Sequence, residues 1–160
     1  MTFYELTDRE GLPAGTDIAA ILADPTISYR TLFAILTTYR YTRLNRETLA
    51  KLDAGKVLQD DPERTELARE SFRAGIAAHA TVTPTQALEA NRKLVDYMTG
   101  TRWQLMQEAR EAGESWTTIG AALDMTKQGA LDWYKRKIGE QEKYLPQFHD
   151  AERARAVVDE

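Results

Sequence analysis

A chain of 160 residues allows one domain or two small ones, and 42% hydrophobic with 29% charged residues is the balance of a folded globular protein, which excludes disorder throughout. The absence of cysteine excludes disulfides and thiolate metal sites, and a net charge of −4 argues against a uniform polyanion-binding coat. The opening MTFYELTDREG has no basic segment followed by an apolar run, and no apolar stretch reaches the length of a membrane span, so a cytoplasmic protein with no membrane partner is expected.

Helix-period apolar spacing recurs along the chain and period-two alternation is scarce, so the expected fold class is all-α. Residues 1–15 read as an irregular lead-in ending in Gly11, Pro13 and Gly15. A short helix is expected from Asp17 to Ala23, then a corner at Asp24-Pro25-Thr26, because proline disfavours helix at the preceding residue. A second helix is expected from Ser28 to about Tyr39, with Leu32, Ile35 and Leu36 on one face. Asn45 reads as the N-cap of a third, Arg46 to Ala54, stopped by Gly55. Lys56 to Pro62 reads as a linker and Glu63 to His79 as a helix.

Thr83-Pro84-Thr85-Gln86 has the form of a capping box with proline at the first helical position. The helix it opens is expected to reach Ala112, weakened at Gly100 and closed by Gly113, with Ala87, Leu94, Met98, Leu105, Ala109 and Ala112 along one face. After residues 115–138, Pro146 ends the helices, and Phe148, Ala151, Ala154 and Val158 suggest a small amphipathic tail helix. The expected division is an N-terminal module over 1–56, a linker and connecting helix over 57–82, and a C-terminal helical domain over 83–160.

The most legible stretch is SWTTIGAALDMTKQGALDWY, Ser115 to Tyr134. A helix-turn-helix needs apolar residues where its two helices meet, and Ile119, Leu123, Met125, Ala130 and Trp133 fall there. Gly120 falls at the crossing, where a larger side chain would hold the helices apart. Asp124 falls at the corner, where a left-handed backbone is common and Asp is tolerated better than most residues. Ser115 and Thr126 precede the two helices as N-caps. Thr126, Lys127, Gln128, Leu131, Asp132 and Lys135 are left to line the outer side of the second helix. There Gln128 suits adenine, Lys127 guanine and Leu131 a thymine methyl. Lys135, Arg136, Lys137 and Lys143 suit phosphates. Asp132 suits cytosine N4, or a pairing with Lys135 or Arg136 on its own helix.

This stretch, preceded by a helix ending in MQEAREAG, resembles helix-turn-helix DNA-binding regulators of actinobacteria and their phages, over roughly Leu88 to Lys137. In that family a run of the form SW-x-x-IG-x-AL-G leads into a short helix carrying Arg-Gln or a similar pair. Here Asp124 replaces the glycine and Lys127 the arginine, which keeps the charge and loses the bidentate fork.

The N-terminal region offers a second reader. Ile18 and Leu22 form the inward face of a first helix, and Ile27, Leu32 and Ile35 that of a second. Ser28 caps the second, leaving Tyr29, Arg30, Phe33 and Thr37 outward, with Arg40, Arg43 and Arg46 following. Ser28, Arg30, Thr31, Leu32 and Ile35, then Arg43, Thr48, Lys51 and Leu52, resemble small repressor-like domains of phages and actinobacteria. The usual loop glycine is replaced by Thr37-Thr38-Tyr39. Ser28 to Lys56 holds six basic residues against two acidic, and Thr126 to Ile138 four against one, so overall acidity conceals two positive segments.

Nothing calls for an enzyme, a metal or a cofactor. No phosphate-binding glycine loop is present, and His79 and His149 lack neighbours at ligand spacing. The acidic Asp60-Asp61 and Glu63 read as a solvated linker, and Trp103, Trp116 and Trp133 as core. The resemblances imply helix-turn-helix modules at both ends joined by a long-helix middle region. They also imply a sequence-specific double-stranded DNA-binding regulator, a repressor of phage-immunity type, acting in a bacterial cell or a phage-infected host. Two modules on one chain would let a monomer grip an asymmetric site, whereas a homodimer through the C-terminal helices would suit a palindrome. The alternatives are a helical protein-interaction module, such as an antitoxin or adaptor, and a DNA-binding accessory protein without a regulatory role.

Overall fold

A computed structural model describes residues 11–56 and 61–158. The expectations for 1–10 and for most of the 56–62 linker lie outside the described residues. The chain is mostly helical, and no strand occurs among the described residues. No helix is long and apolar enough to cross a membrane. Two compact units divide at Asp96/Tyr97.

The first unit contains α1 (Ile18–Ala23), α2 (Tyr29–Asp53), α3 (Pro62–Ala77) and most of α4 (Pro84–Gly100). Each start is fixed locally: the side chains of Asp17, Ser28 and Asp61 accept the amides of Ala20, Thr31 and Arg64. At α4 the capping box is reciprocal, with Thr83 N donating to Gln86 Oε1 at 2.9 Å and Gln86 N to Thr83 Oγ1 at 3.1 Å. Ile18, Leu22, Leu32, Ile35, Leu36, Ala80, Val82, Ala87 and Ala90 form the core. Because Ala87, Ala90 and Leu94 pack into it, the start of α4 belongs to this unit, and the division comes later than the expected boundary at 83.

Two features depart from expectation. α2 runs unbroken for 25 residues, so Asn45 is not an N-cap. It is 5% exposed, on a polar stripe with buried Thr38 and Thr42, whose hydroxyls donate to the carbonyls of Ala34 and Thr38. Burial overrides the local breaking tendency of these residues. The lead-in is also not wholly irregular: Ala80 N donates to Leu12 O at 2.8 Å and Ala14 N to Ala78 O at 2.9 Å. Leu12 N meets Thr38 Oγ1 at 2.8 Å.

The second unit holds α5 (Arg102–Glu111), α6 (Trp116–Ala122), α7 (Lys127–Tyr144), a 3₁₀ turn (Pro146–Phe148) and α8 (Ala151–Ala156). The expected single helix to Ala112 is broken at Thr101, and Met98 and Leu105, placed on its apolar face by period, are exposed. Met106, Trp116, Ile119, Ala130, Tyr134, Ile138, Ala154 and Val157 form the core, with Trp103, Leu123, Met125, Leu131 and Trp133 packed at its edge. Tyr134, not Trp133, is the central α7 residue, at 0% exposure. Its hydroxyl donates to Ala154 O at 2.9 Å. Tyr134 and Trp133 differ by one residue, about 100° around the helix, and the packing of α5 and α8 decides between them. Phe148, expected on the apolar side of the tail, is 83% exposed.

Candidate nucleic-acid interface

α6 and α7 are joined by Leu123–Thr126. α6 closes in a Schellman arrangement: Met125 N donates to Gly120 O at 2.8 Å and Asp124 N to Ala121 O at 3.2 Å. The residue at its turning point is Asp124, with φ 54°, the sole non-glycine at positive φ among the described residues. α2 and α5 end in the same way on Gly55 and Gly113, at φ 64° and 91°. Gly120 lies against the start of α7: a Cβ there would stand 2.8 Å from Met125 O and 3.1 Å from Thr126 O. Ser115 Oγ and Thr126 Oγ1 accept the amides of Thr118 and Gly129 at 3.1 and 3.0 Å. The corner is therefore specified from both sides, and α7 is held by its first turn.

Along α7 the residues singled out by sequence divide into two groups. Lys127, Gln128, Asp132, Lys135 and Arg136 are exposed. From Lys127 to Lys135 this outer face runs about 12 Å at the α-helical rise. Thr126 is exposed but committed to capping. Leu131 is half-buried against the core rather than fully outward. Lys137 is half-buried, paired with Glu140 at 2.7 Å, and lies 5.9 Å from the Trp133 ring centre. Its ammonium holds the Glu140 carboxyl below the usual carboxylate range.

Asp132 does not pair with Lys135 or Arg136; its Oδ1 accepts from Gln128 Nε2 at 2.7 Å. Lys127, Lys135 and Arg136 have no ion-pair partner among the described residues, whereas Arg153 is paired with Glu111 and Arg155 with Glu142. Residues 97–160 contain nine Lys and Arg against eleven Asp and Glu. Acid on this unit thus pairs with the α8 arginines, and the α7 outer face carries Lys127, Lys135 and Arg136 against the single carboxylate of Asp132. Sequence reasoning passed over Arg102, whose guanidinium lies 5.6 Å from the Trp133 ring centre and has no ion-pair partner among the described residues. No local signal marks it, because only tertiary packing brings the start of α5 beside α7.

The N-terminal residues are arranged differently. Ser28 is occupied as the α2 cap. Tyr29 and Arg30 are half-buried and paired with each other, Arg30 Nε donating to Tyr29 Oη at 3.2 Å. Arg40, Arg43 and Arg46 are exposed along the middle of the continuous α2, with Arg43 facing Glu47 at 3.5 Å. The expected loop between Tyr39 and Asn45 is absent, so these arginines stand on a helix surface and not on a turn.

Of the remaining polar groups, His79 Nδ1 meets Gly75 O at 2.7 Å and its ring packs on Tyr41. The His149 ring packs edge-on to Trp103. No group of three or more metal-ligating side chains occurs among the described residues. No family model, no curated protein and no solved structure matches this chain.

Proposed function

We propose that α6 and α7 form a helix-turn-helix that reads double-stranded DNA in a sequence-specific way, and that the protein is a transcriptional regulator, a repressor of a phage or mobile element. The observation that carries this reading is the outer face of α7. It is a row of exposed, unpaired cations flanking an amide, on a helix whose start is fixed by the Gly120 and Asp124 corner. A helix with its side chains is about 10–12 Å across, and the major groove, about 12 Å wide, admits it. Lys135 and Arg136 take phosphates, and Lys127 and Gln128, in the first turn, take base edges. The repressor role rests on the sequence resemblance alone, since fold does not set function.

The test is selection of bound duplexes from a random pool, followed by titration of the winner against salt. An enriched motif and a steep loss of affinity with salt are expected, because each neutralised phosphate releases counterions. No enrichment, or affinity indifferent to salt, overturns the reading. The second reading is a helical protein-interaction module. It draws on the exposed apolar side chains of Tyr144, Leu145 and Phe148, since such patches mark interaction sites, and it gains if the selection fails.

A further inference from the structure

We infer that Asp132 is a positioning residue for base recognition: by holding one end of the Gln128 amide, it makes Gln128 a reader of adenine. The inference rests on the DNA-reading function proposed for α7.

A carboxylate can only accept a hydrogen bond, so a Gln side chain facing it must present nitrogen and not oxygen. Asp132 Oδ1 meets Gln128 Nε2 at 2.7 Å, one helical turn away. That fixes which end of the amide lies toward the body of α7. An amide nitrogen has two hydrogens. Asp132 takes one of them, and use of the one trans to the carbonyl oxygen leaves the one cis to it beside Oε1 on the free edge. That free edge, an acceptor next to a donor, matches the N6 donor and N7 acceptor of adenine. Guanine presents two acceptors at N7 and O6, which would set an oxygen against Oε1. Without Asp132 the exposed amide is free to turn over, and the order of donor and acceptor along the groove is lost.

The charge acts in the same sense. Asp132 is exposed, and none of its neighbours Lys135 and Arg136 is within ion-pair distance. Its second oxygen therefore stays an acceptor on the reading face. It disfavours the acceptor-rich edge of guanine nearby and tolerates exocyclic amines.

The experiment is selection of bound duplexes by the parent, Gln128→Ala, Asp132→Ala and Asp132→Asn. Thermal melting alongside should show all four folded, because both side chains are exposed. The parent is expected to enrich a motif with an adenine that Gln128→Ala makes indifferent. Asp132→Ala should reduce discrimination for that adenine by roughly tenfold. Asp132→Asn removes the same charge but keeps an acceptor for Gln128 Nε2, and should retain the adenine. A purely electrostatic role for Asp132 would move the two variants together, in total affinity and not at one base. A parent motif whose adenine survives in Asp132→Ala, or a motif with no position dependent on Gln128, overturns the inference while leaving DNA reading intact. Failure of the parent to enrich any motif overturns both.

Discussion

Gly120 lies so close to Met125 that a methyl group on its α-carbon would stand 2.8 Å from the Met125 carbonyl oxygen. Both contacts that follow are backbone atoms of the corner, which cannot swing aside as a long side chain would. Gly120→Ala gains up to about 1 kcal/mol of helix propensity but overpacks the crossing, which costs typically about 1–3 kcal/mol. A net loss of stability is expected, read as a lower thermal midpoint, together with weaker binding of the selected duplex. An unchanged midpoint would show that the corner yields.

Asp124 occupies a left-handed conformation that disfavours side chains, at φ 54°. Asp124→Gly should leave stability equal or raise it by up to about 1 kcal/mol, and Asp124→Val should lower it by about 1–2 kcal/mol, because β-branching is least tolerated there. Chemical denaturation of the two variants beside the parent checks the order Gly, Asp, Val.

Burial pushes the Tyr134 hydroxyl up to about 12 from its ordinary 10, and the Glu111 carboxylate adds to the shift. The folded state thus binds the phenolic proton more tightly than the unfolded chain does. The group contributes nothing to pH dependence well below 10, where both states hold the proton. Stability falls as pH rises from about 10 to about 12, where only the unfolded state has lost it. The loss amounts to at most about 3 kcal/mol. Tyr134→Phe removes this alkaline slope and, by leaving Ala154 O without its donor, costs about 1–2 kcal/mol at neutral pH. Denaturation of parent and variant at pH 8 and pH 11 separates the two effects.

At the acid end the sign reverses. Hydrogen bonding from Arg153 holds the Glu111 carboxyl below its usual range, and Arg155 does the same for Glu142. Each contributes stability above the unfolded carboxyl value of 4.5, which is lost as pH falls through the lower folded value. Both pairs tie α8 to α5 and α7. Amide exchange in α8 is therefore expected to quicken below about pH 4 before exchange in α6 does, and Glu111→Gln should bring α8 toward that behaviour at neutral pH.

Lys135→Ala and Arg136→Ala should each flatten the salt dependence of DNA affinity by about 0.9 in logarithmic slope, without altering the selected motif. A changed motif would place them at bases and not phosphates.

What was legible in the sequence was what neighbouring residues decide among themselves. The reciprocal Thr83 and Gln86 cap, the caps at Ser28, Ser115 and Thr126, the left-handed Asp124 and the crowded Gly120 all depend on a few consecutive residues. What distant partners decide was not legible. Asn45 reads as a cap until α3 buries it, and Trp133 reads as core until α5 and α8 choose Tyr134. The Gln128 and Asp132 pair lay between these cases: the sequence reading paired Asp132 with Lys135 or Arg136, and side-chain geometry gave it Gln128, four residues earlier, instead.

α8 and the residue that caps it supply Ala154 and Val157 to the same core as Ile119 and Ala130, and the Ala154 carbonyl receives the Tyr134 hydroxyl. The smallest fragment able to hold α7 in place must therefore reach Val157, although nothing beyond Lys143 is assigned to DNA. A cut at Pro146 would spare every proposed contact and still lay bare the underside of the helix that makes them. In this unit the distal segment acts as a keystone.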